Sequence, residues 1–179
     1  MHQIHNTNAF IISSFKIGEA NKILYCLTEH VGLIKVIAQG IRKEKSKLRN
    51  SVQDYSLAKI SVVFGKSGWR LVNAEPVENY FHLLEKDEIA IVARIFSLIK
   101  RMIPEEETNP EIFYIVNKFM NHLREKKSAK YFLEILCVAS ILKNLGYIDD
   151  ENLAFYQESD ENTNILLKKI NNALKESHL

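Results

Sequence analysis

The hydrophobic periodicity of this chain changes once, near residue 80, and that change limits the fold more than any other feature. Before it, apolar residues come in short runs, some alternating at the period of a half-buried strand. After it they recur at three- and four-residue intervals, the period of an amphipathic helix. Phe10 to Ser14 is a short apolar run, Lys22 to Leu27 is rich in Ile, Leu and Tyr, and Leu33 to Ala38 repeats that character. Glu29-His30-Val31-Gly32 between the last two reads as a hairpin loop. Ser56 to Phe64 sets Ala58, Ile60, Val62 and Phe64 on one face, Gly65-Lys66-Ser67-Gly68 turns the chain, and Trp69 to Ala74 returns. About five short strands without a helical pattern between them fit a small closed barrel of the oligonucleotide-binding type; a compact sandwich or an SH3-like barrel fits the pattern nearly as well.

Beyond Glu78 the pattern predicts four helices. The stripe Ile89, Val92, Ala93, Phe96, Ile99 ends at Pro104 and the acidic run Glu105-Glu106-Glu107, which reads as a solvated helix end. Asn109-Pro110-Glu111 is a strong helix start, with Asn as cap, Pro in the first turn and Glu at the positive end of the dipole. Ile112, Ile115, Val116, Phe119 and Leu123 form its stripe. Ser128 can cap a third helix with the stripe Phe132, Ile135, Leu136, Ala139, Leu142, and Gly146 can stop it. Residues 149–163 read as a polar linker before a last helix carrying Leu166, Ile170, Ala173 and Leu174. The expected class is therefore α+β in two modules: a β-barrel over residues 1–80 and an all-α helical domain over 81–179.

Charge follows the same division. Residues 1–80 hold 11 Lys/Arg against 6 Asp/Glu, a net +5, and residues 81–179 hold 13 against 16, a net −3. The basic module is the better candidate for a phosphate partner. Its densest stretch is Arg42-Lys43-Glu44-Lys45-Ser46-Lys47-Leu48-Arg49, between two strand regions. Cations clustered on a barrel rim can track a phosphate backbone and release counterions, although a solvated loop would look the same. Lys66 and Arg70 flank the second hairpin turn and join this set. Tyr25, Tyr55, Phe64 and Trp69 are candidates for stacking on unpaired bases. Phe64 shares a face with Ile60 and Val62 and reads as core, whereas Trp69, beside the exposed turn, is ambiguous and is kept as a candidate contact.

Signals of catalysis are missing. Of the six histidines only His2 and His5 stand three apart, near an end expected to fray, and HExxH, GxxxxGK[ST], GxGxxG and GxSxG do not occur. Two cysteines, Cys26 and Cys137, sit in apolar runs and read as buried thiols of a reducing cytoplasm; with no CxxC pair a cysteine zinc site is not expected. No apolar run approaches the roughly 20 residues of a membrane span, and MHQIHNTNAF has no basic-then-apolar leader pattern.

The segment Ala9 to Tyr80 resembles the N-terminal domain of the RecO family. The likeness is carried by Gly18-Glu19-Ala20-Asn21-Lys22-Ile23-Leu24, Leu27-Thr28 with Gly32, Val36 to Lys43, Lys45 to Arg49, Gln53-Asp54-Tyr55-Ser56 and Ala74-Glu75, in that order. It continues through Leu98-Ile99 to Pro104, Asn109-Pro110-Glu111 and Leu142 to Tyr147. The resemblance implies an oligonucleotide-binding barrel followed by a helical domain. It also implies a non-enzymatic recombination mediator of DNA repair that anneals strands and loads RecA onto DNA covered by single-strand-binding protein. The partners it implies are single- and double-stranded DNA, RecR and the acidic tail of single-strand-binding protein, in the cytoplasm and with no cofactor. Many members carry a four-cysteine zinc element after the position of Tyr147; here Asp149-Asp150-Glu151 follows, so zinc is not expected. An acidic tail would need a local site in the acidic module, such as an apolar groove with a cationic rim, for which Arg94, Lys100, Arg101, Lys118 and Arg124 are the candidates. A protein-interaction adaptor of the same fold, with little DNA affinity of its own, is the alternative.

Overall fold

The computed structural model describes residues 3–126, 129–153 and 156–176. Five strands, β1 (Ile4–Ile17), β2 (Asn21–Thr28), β3 (Gly32–Ala38), β4 (Ser56–Gly65) and β5 (Gly68–Asn79), close a barrel in the order β1-β2-β3-β5-β4. All pairings are antiparallel except β3 with β5, which run parallel through Val36–Trp69 and Ile37–Arg70. Alternation puts Ala9, Ile11, Leu24, Cys26, Ile34, Val36, Ala58, Ile60 and Val62 inside, each fully buried. The β3–β4 connection adds Ile41 and Val52 to that core. Burial pushes the Cys26 thiol up, so it stays protonated.

Two expectations need correction here. Residue His5 is not frayed: β1 begins at Ile4, pairs with β4 from Val63 onward, and the His5 ring meets Trp69 edge-on at 5.3 Å. His2 lies outside the described residues. Phe64 is not core. It keeps the parity of Ile60 and Val62, but β4 has by then run past the end of the barrel, and the ring is 49% exposed. Trp69, paired with it across the hairpin, fills that end at 8% exposure.

Two compact units divide the chain, Met1–Pro110 and Glu111–Leu179. The last strand ends at Asn79, near the expected domain boundary, but helices α1 (Tyr80–Leu83) and α2 (Lys86–Met102) belong with the barrel. Phe10, on the outer side of β1, meets Tyr80 and Phe96 at 6.3 and 6.2 Å between ring centroids, and Tyr55 stacks on Phe96 at 6.0 Å. The acidic run after α2 is likewise no solvated helix end. Glu105 bridges to Leu33 at the open edge of β3, the Glu106 N–H donates to the Leu33 carbonyl at 2.8 Å, and Trp69 Nε1 donates to Glu106 Oε1 at 3.0 Å. Gly32 permits this strap: its φ is +82°, and a Cβ there would lie 2.1 Å from the Glu107 carbonyl oxygen.

In the second unit, α3 (Pro110–Glu125) starts at the expected Pro, and α4 (Lys130–Asn144) buries seven residues around its axis, among them Phe132, Ile135, Cys137 and Leu142. Ser128, the expected cap, lies outside the described residues. Gly146, at φ +82°, ends α4, with its N–H bonded to the Lys143 carbonyl. The stretch after it is more ordered than a linker. Asp150 is buried, accepts from Lys169 Nζ at 2.6 Å and from the Asn152 N–H at 3.0 Å, and so ties the chain to α5 (Asp160–Glu176). The Lys169 ammonium holds the Asp150 carboxyl below the usual carboxylate range. No described helix is long and apolar enough to cross a membrane.

Candidate nucleic-acid interface

The β3–β4 connection carries the basic stretch and is anchored at both ends. Gly40 N–H donates to Asn21 Oδ1 at 2.8 Å, Arg42 N–H to the Ala20 carbonyl at 2.9 Å, and Arg42 Nη1 to the Gly18 carbonyl at 3.0 Å. Ile41 and Val52 enter the barrel core and Leu48 packs against it, which leaves Lys43, Lys45, Lys47 and Arg49 exposed in a run of turns. Buried apolar residues every few positions thus fasten the loop to one barrel end, with its cations in water. Arg42 is half-buried and spends one guanidinium nitrogen on the β1–β2 turn.

Strand register gathers a second set. Across the outer surface, Phe15 of β1 pairs with Ile23 of β2, Ile23 with Ile37 of β3, and Ile37 with Arg70 of β5. These four residues form one transverse row. The adjacent row is Ser13, Tyr25 and Lys35. Lys100 reaches over from α2, its Nζ 3.2 Å from Ser13 Oγ and 4.0 Å from the Tyr25 ring centre, and Lys35 Nζ lies 5.3 Å from the same ring. Phe15 stands 6.1 Å from Tyr25 and is 46% exposed. Lys66 and Arg70 line a polar recess of about 260 Å³ beside this face, together with Ile37 and Gln39.

Of the residues singled out from the sequence, Lys66 and Arg70 thus meet at one recess, and Lys43, Lys45, Lys47 and Arg49 share one loop. Trp69 is different: it is buried, its edge is bonded to Glu106, and His5 and Phe64 lie against it, so no ring face is open for a base. Phe15 and Lys35 gave no motif; their only signal is alternation with Ile17 and Ile37 in strands whose partners the sequence does not name. Lys100 was expected at a protein-binding rim and instead stands over Tyr25. Arg94 and Arg101 are exposed on the same helix.

The second unit has a cleft of about 430 Å³ between α3 and α4. Ile115, Phe119, Leu133 and Leu136 form its apolar wall, and Lys118, His122 and Lys143 bring polar groups. Lys118 is the one expected rim cation among its lining residues; Lys143 was not foreseen, and Arg124 is exposed elsewhere on α3.

This closed five-stranded barrel, with its basic β3–β4 connection, has named counterparts. Residues 1–80 match the family described as "Recombination protein O N terminal". The barrel is a RecO-family N-terminal domain. Similarity reaches further along the chain. The DNA repair protein RecO of Alkaliphilus metalliredigens is 30% identical over 142 residues, covering 79% of this chain and 56% of that protein. The RecO of a Dehalococcoides mccartyi strain is 29% identical over 131 residues, covering 70% and 52%. That of Caldanaerobacter subterraneus is 26% identical over 165 residues, covering 86% and 66%. The chain therefore spans a little over half the length of the first two of these RecO proteins.

Proposed function

We propose that this chain is a non-enzymatic DNA-binding protein of DNA repair and recombination. In this reading it anneals complementary strands and helps load RecA onto DNA covered by single-strand-binding protein, working with RecR. The observation that carries the reading is the RecO-type barrel whose β3–β4 loop buries Ile41 and Val52 and leaves Lys43, Lys45, Lys47 and Arg49 in water. Such a loop can lie along a phosphate backbone of single- or double-stranded DNA without reading bases, so binding is sequence-independent and strongly dependent on salt. Four to five phosphates neutralised on a single strand give a log–log slope of roughly −3 to −3.5, and affinity falls about 50- to 100-fold from ~50 to ~200 mM salt. Replacing Arg42, Lys43, Lys45, Lys47 and Arg49 with Ala flattens that slope; an unchanged slope in the folded variant rejects the loop as the contact. Annealing needs two polyanions screened at once, which a cationic surface supplies without nucleotide. Strand pairing with chelator present and no ATP tests this, and a strict need for ATP or a divalent ion contradicts it.

A second reading, that of a protein-interaction adaptor with little DNA affinity of its own, is favoured by the apolar cleft between α3 and α4. Under either reading the cleft suits the acidic tail of single-strand-binding protein, with the tail's apolar end against Phe119 and Leu136 and a carboxylate near Lys118 or Lys143. A DNA titration at two salt concentrations separates the two readings.

A further inference from the structure

The cleft between α3 and α4 is almost wholly made by those two helices. Among the described residues, every side chain that lines it belongs to one of them except Leu153. Leu153 lies beyond the end of α4, in the segment Asp149-Asp150-Glu151-Asn152-Leu153, and is buried. It is the one apolar side chain of that segment, so apolar packing gives the segment a single anchor. Fixing each residue of an irregular backbone costs conformational entropy, and one leucine contact does not offset that cost over five residues. A second hold is needed to keep Leu153 against the cleft.

Asp150 supplies it. Its Oδ1 accepts from the Asn152 N–H at 3.0 Å, and its carbonyl accepts from the Leu153 N–H at 3.3 Å. Its Oδ2 takes the Lys169 ammonium of α5 at 2.6 Å, and the Tyr156 side chain hydrogen-bonds to both members of that pair. One carboxylate thus spends one oxygen inside the turn that presents Leu153 and the other on α5. That helix packs against α4 and buries Leu166, Ile170 and Ala173, yet none of its described residues lines the cleft. One wall of the cleft is therefore fastened to a helix that otherwise takes no part in it.

We infer that Asp150 is a positioning residue for the α3–α4 cleft: bonded to Lys169, it holds Leu153 as the wall against which the apolar end of a carboxylate-bearing ligand closes. The inference rests on the reading of this cleft as a binding site for such a ligand and names what sets the site's shape. An amide at position 150 cannot replace the carboxylate, because its nitrogen donates and does not accept from an ammonium. The sign of the effect separates positioning from charge. The ligand is an anion, so removing a carboxylate near the cleft relieves repulsion and by charge alone tightens binding. Withdrawal of Leu153 weakens it instead.

The test uses the full chain and a fluorescent peptide of aspartates closed by one leucine with its free carboxylate, followed by anisotropy. Leu153→Ala weakens binding roughly five- to thirty-fold, the range of an apolar side chain lost from a binding contact. Asp150→Asn weakens it by a similar factor. The two losses do not add: in a Leu153→Ala background Asp150→Asn changes affinity less than about two-fold, since it acts through the missing side chain. Lys169→Gln, at a side chain 34% exposed, shows the same loss with the same dependence on Leu153, and it serves where Asp150→Asn does not fold. Ala173→Gly, on the buried side of α5 and outside the cleft, lowers the unfolding temperature and leaves affinity unchanged. Tighter or unchanged binding by Asp150→Asn, or a loss that keeps its full size without Leu153, overturns the positioning role and leaves the cleft reading in place. A loss of equal size in Ala173→Gly overturns it too, because lost stability then accounts for the effect. No binding by the parent chain overturns the cleft reading and the positioning role together.

Discussion

Replacing Gly32 with Ala should detach the strap formed by residues 105–107. Two costs add at this position. An L-residue at φ +82° gives up about 1–2 kcal/mol of backbone energy. The new Cβ would stand 2.1 Å from the Glu107 carbonyl oxygen, so the strap must withdraw by about 1 Å to restore van der Waals contact. Withdrawal breaks the Glu106 N–H to Leu33 bond and the Trp69 Nε1 to Glu106 bond, at about 1 kcal/mol each. The exposed Lys35–Glu105 pair adds only a few tenths. The sum is about 3–4 kcal/mol. Gly18→Ala is the control: φ there is +56° and a Cβ meets nothing within 4 Å, so only about 1–2 kcal/mol of backbone cost remains. Trp69 is the chain's only tryptophan and touches the strap directly, so urea titration followed by its fluorescence reads both the stability of the barrel unit and the release of Glu106. The reasoning fails if Gly32→Ala lies within about 0.5 kcal/mol of Gly18→Ala, a spread ordinary for surface changes, or if the folded variant keeps the parent's emission.

Three further outcomes follow from other parts of the molecule. Asp150 has its pKa lowered, chiefly by the hydrogen bond from Lys169, so its contribution is present above the ordinary carboxyl range and fades as pH falls through the folded value. Lys169 has its pKa raised by the same bond, so its contribution holds below the ordinary lysine value and is lost as pH rises through the folded one. Asp150→Asn should therefore cost about 1–3 kcal/mol near neutrality and remove part of the acid limb of the stability profile, measured by thermal melts from pH 2 to 8; an unaltered acid limb argues against the pair. Ile60→Ala, in the centre of the barrel, should cost about 2–5 kcal/mol in urea denaturation, and a loss under 1 would mean that the barrel core collapses around the gap. A peptide copying the tail of a single-strand-binding protein should bind the full chain with micromolar affinity, about −8 kcal/mol, and Lys143→Ala should weaken it several-fold in calorimetry; indifference to Lys143 moves the peptide out of the α3–α4 cleft.

The partition into strands and helices was legible because it depends on local backbone geometry. Alternation in Ala58-Lys59-Ile60-Ser61-Val62 and three-to-four spacing in Val92-Ala93-Phe96-Ile99 each state their own period, whatever packs against them. Asn109-Pro110 marked the start of α3 for the same reason, since a proline in a first turn answers to its own φ and its missing N–H. The exposed cations of the β3–β4 loop were also legible, as charged residues between buried anchors. The local pattern could not show where the barrel ends. Phe64 keeps the parity of Val62 and is exposed, while Trp69 beside an exposed turn is buried, because closure of β3 on β5 sets how far the enclosed space extends.

By itself, then, the sequence determined a β-rich basic first part, an α-helical second part, buried thiols at Cys26 and Cys137 and a cationic loop between two strands. Each of these is a property of neighbours along the chain. Only the tertiary structure brought Phe15, Ile23, Ile37 and Arg70 into one row, put Lys35 and Lys100 over one tyrosine, and laid Glu105 against Lys35. Lys100 also reaches Ser13, 87 positions earlier in the chain. The register of these contacts follows from which strands hydrogen-bond to which as the barrel closes, and a one-residue slip would turn Phe15 or Lys35 to the opposite face while leaving every local pattern intact.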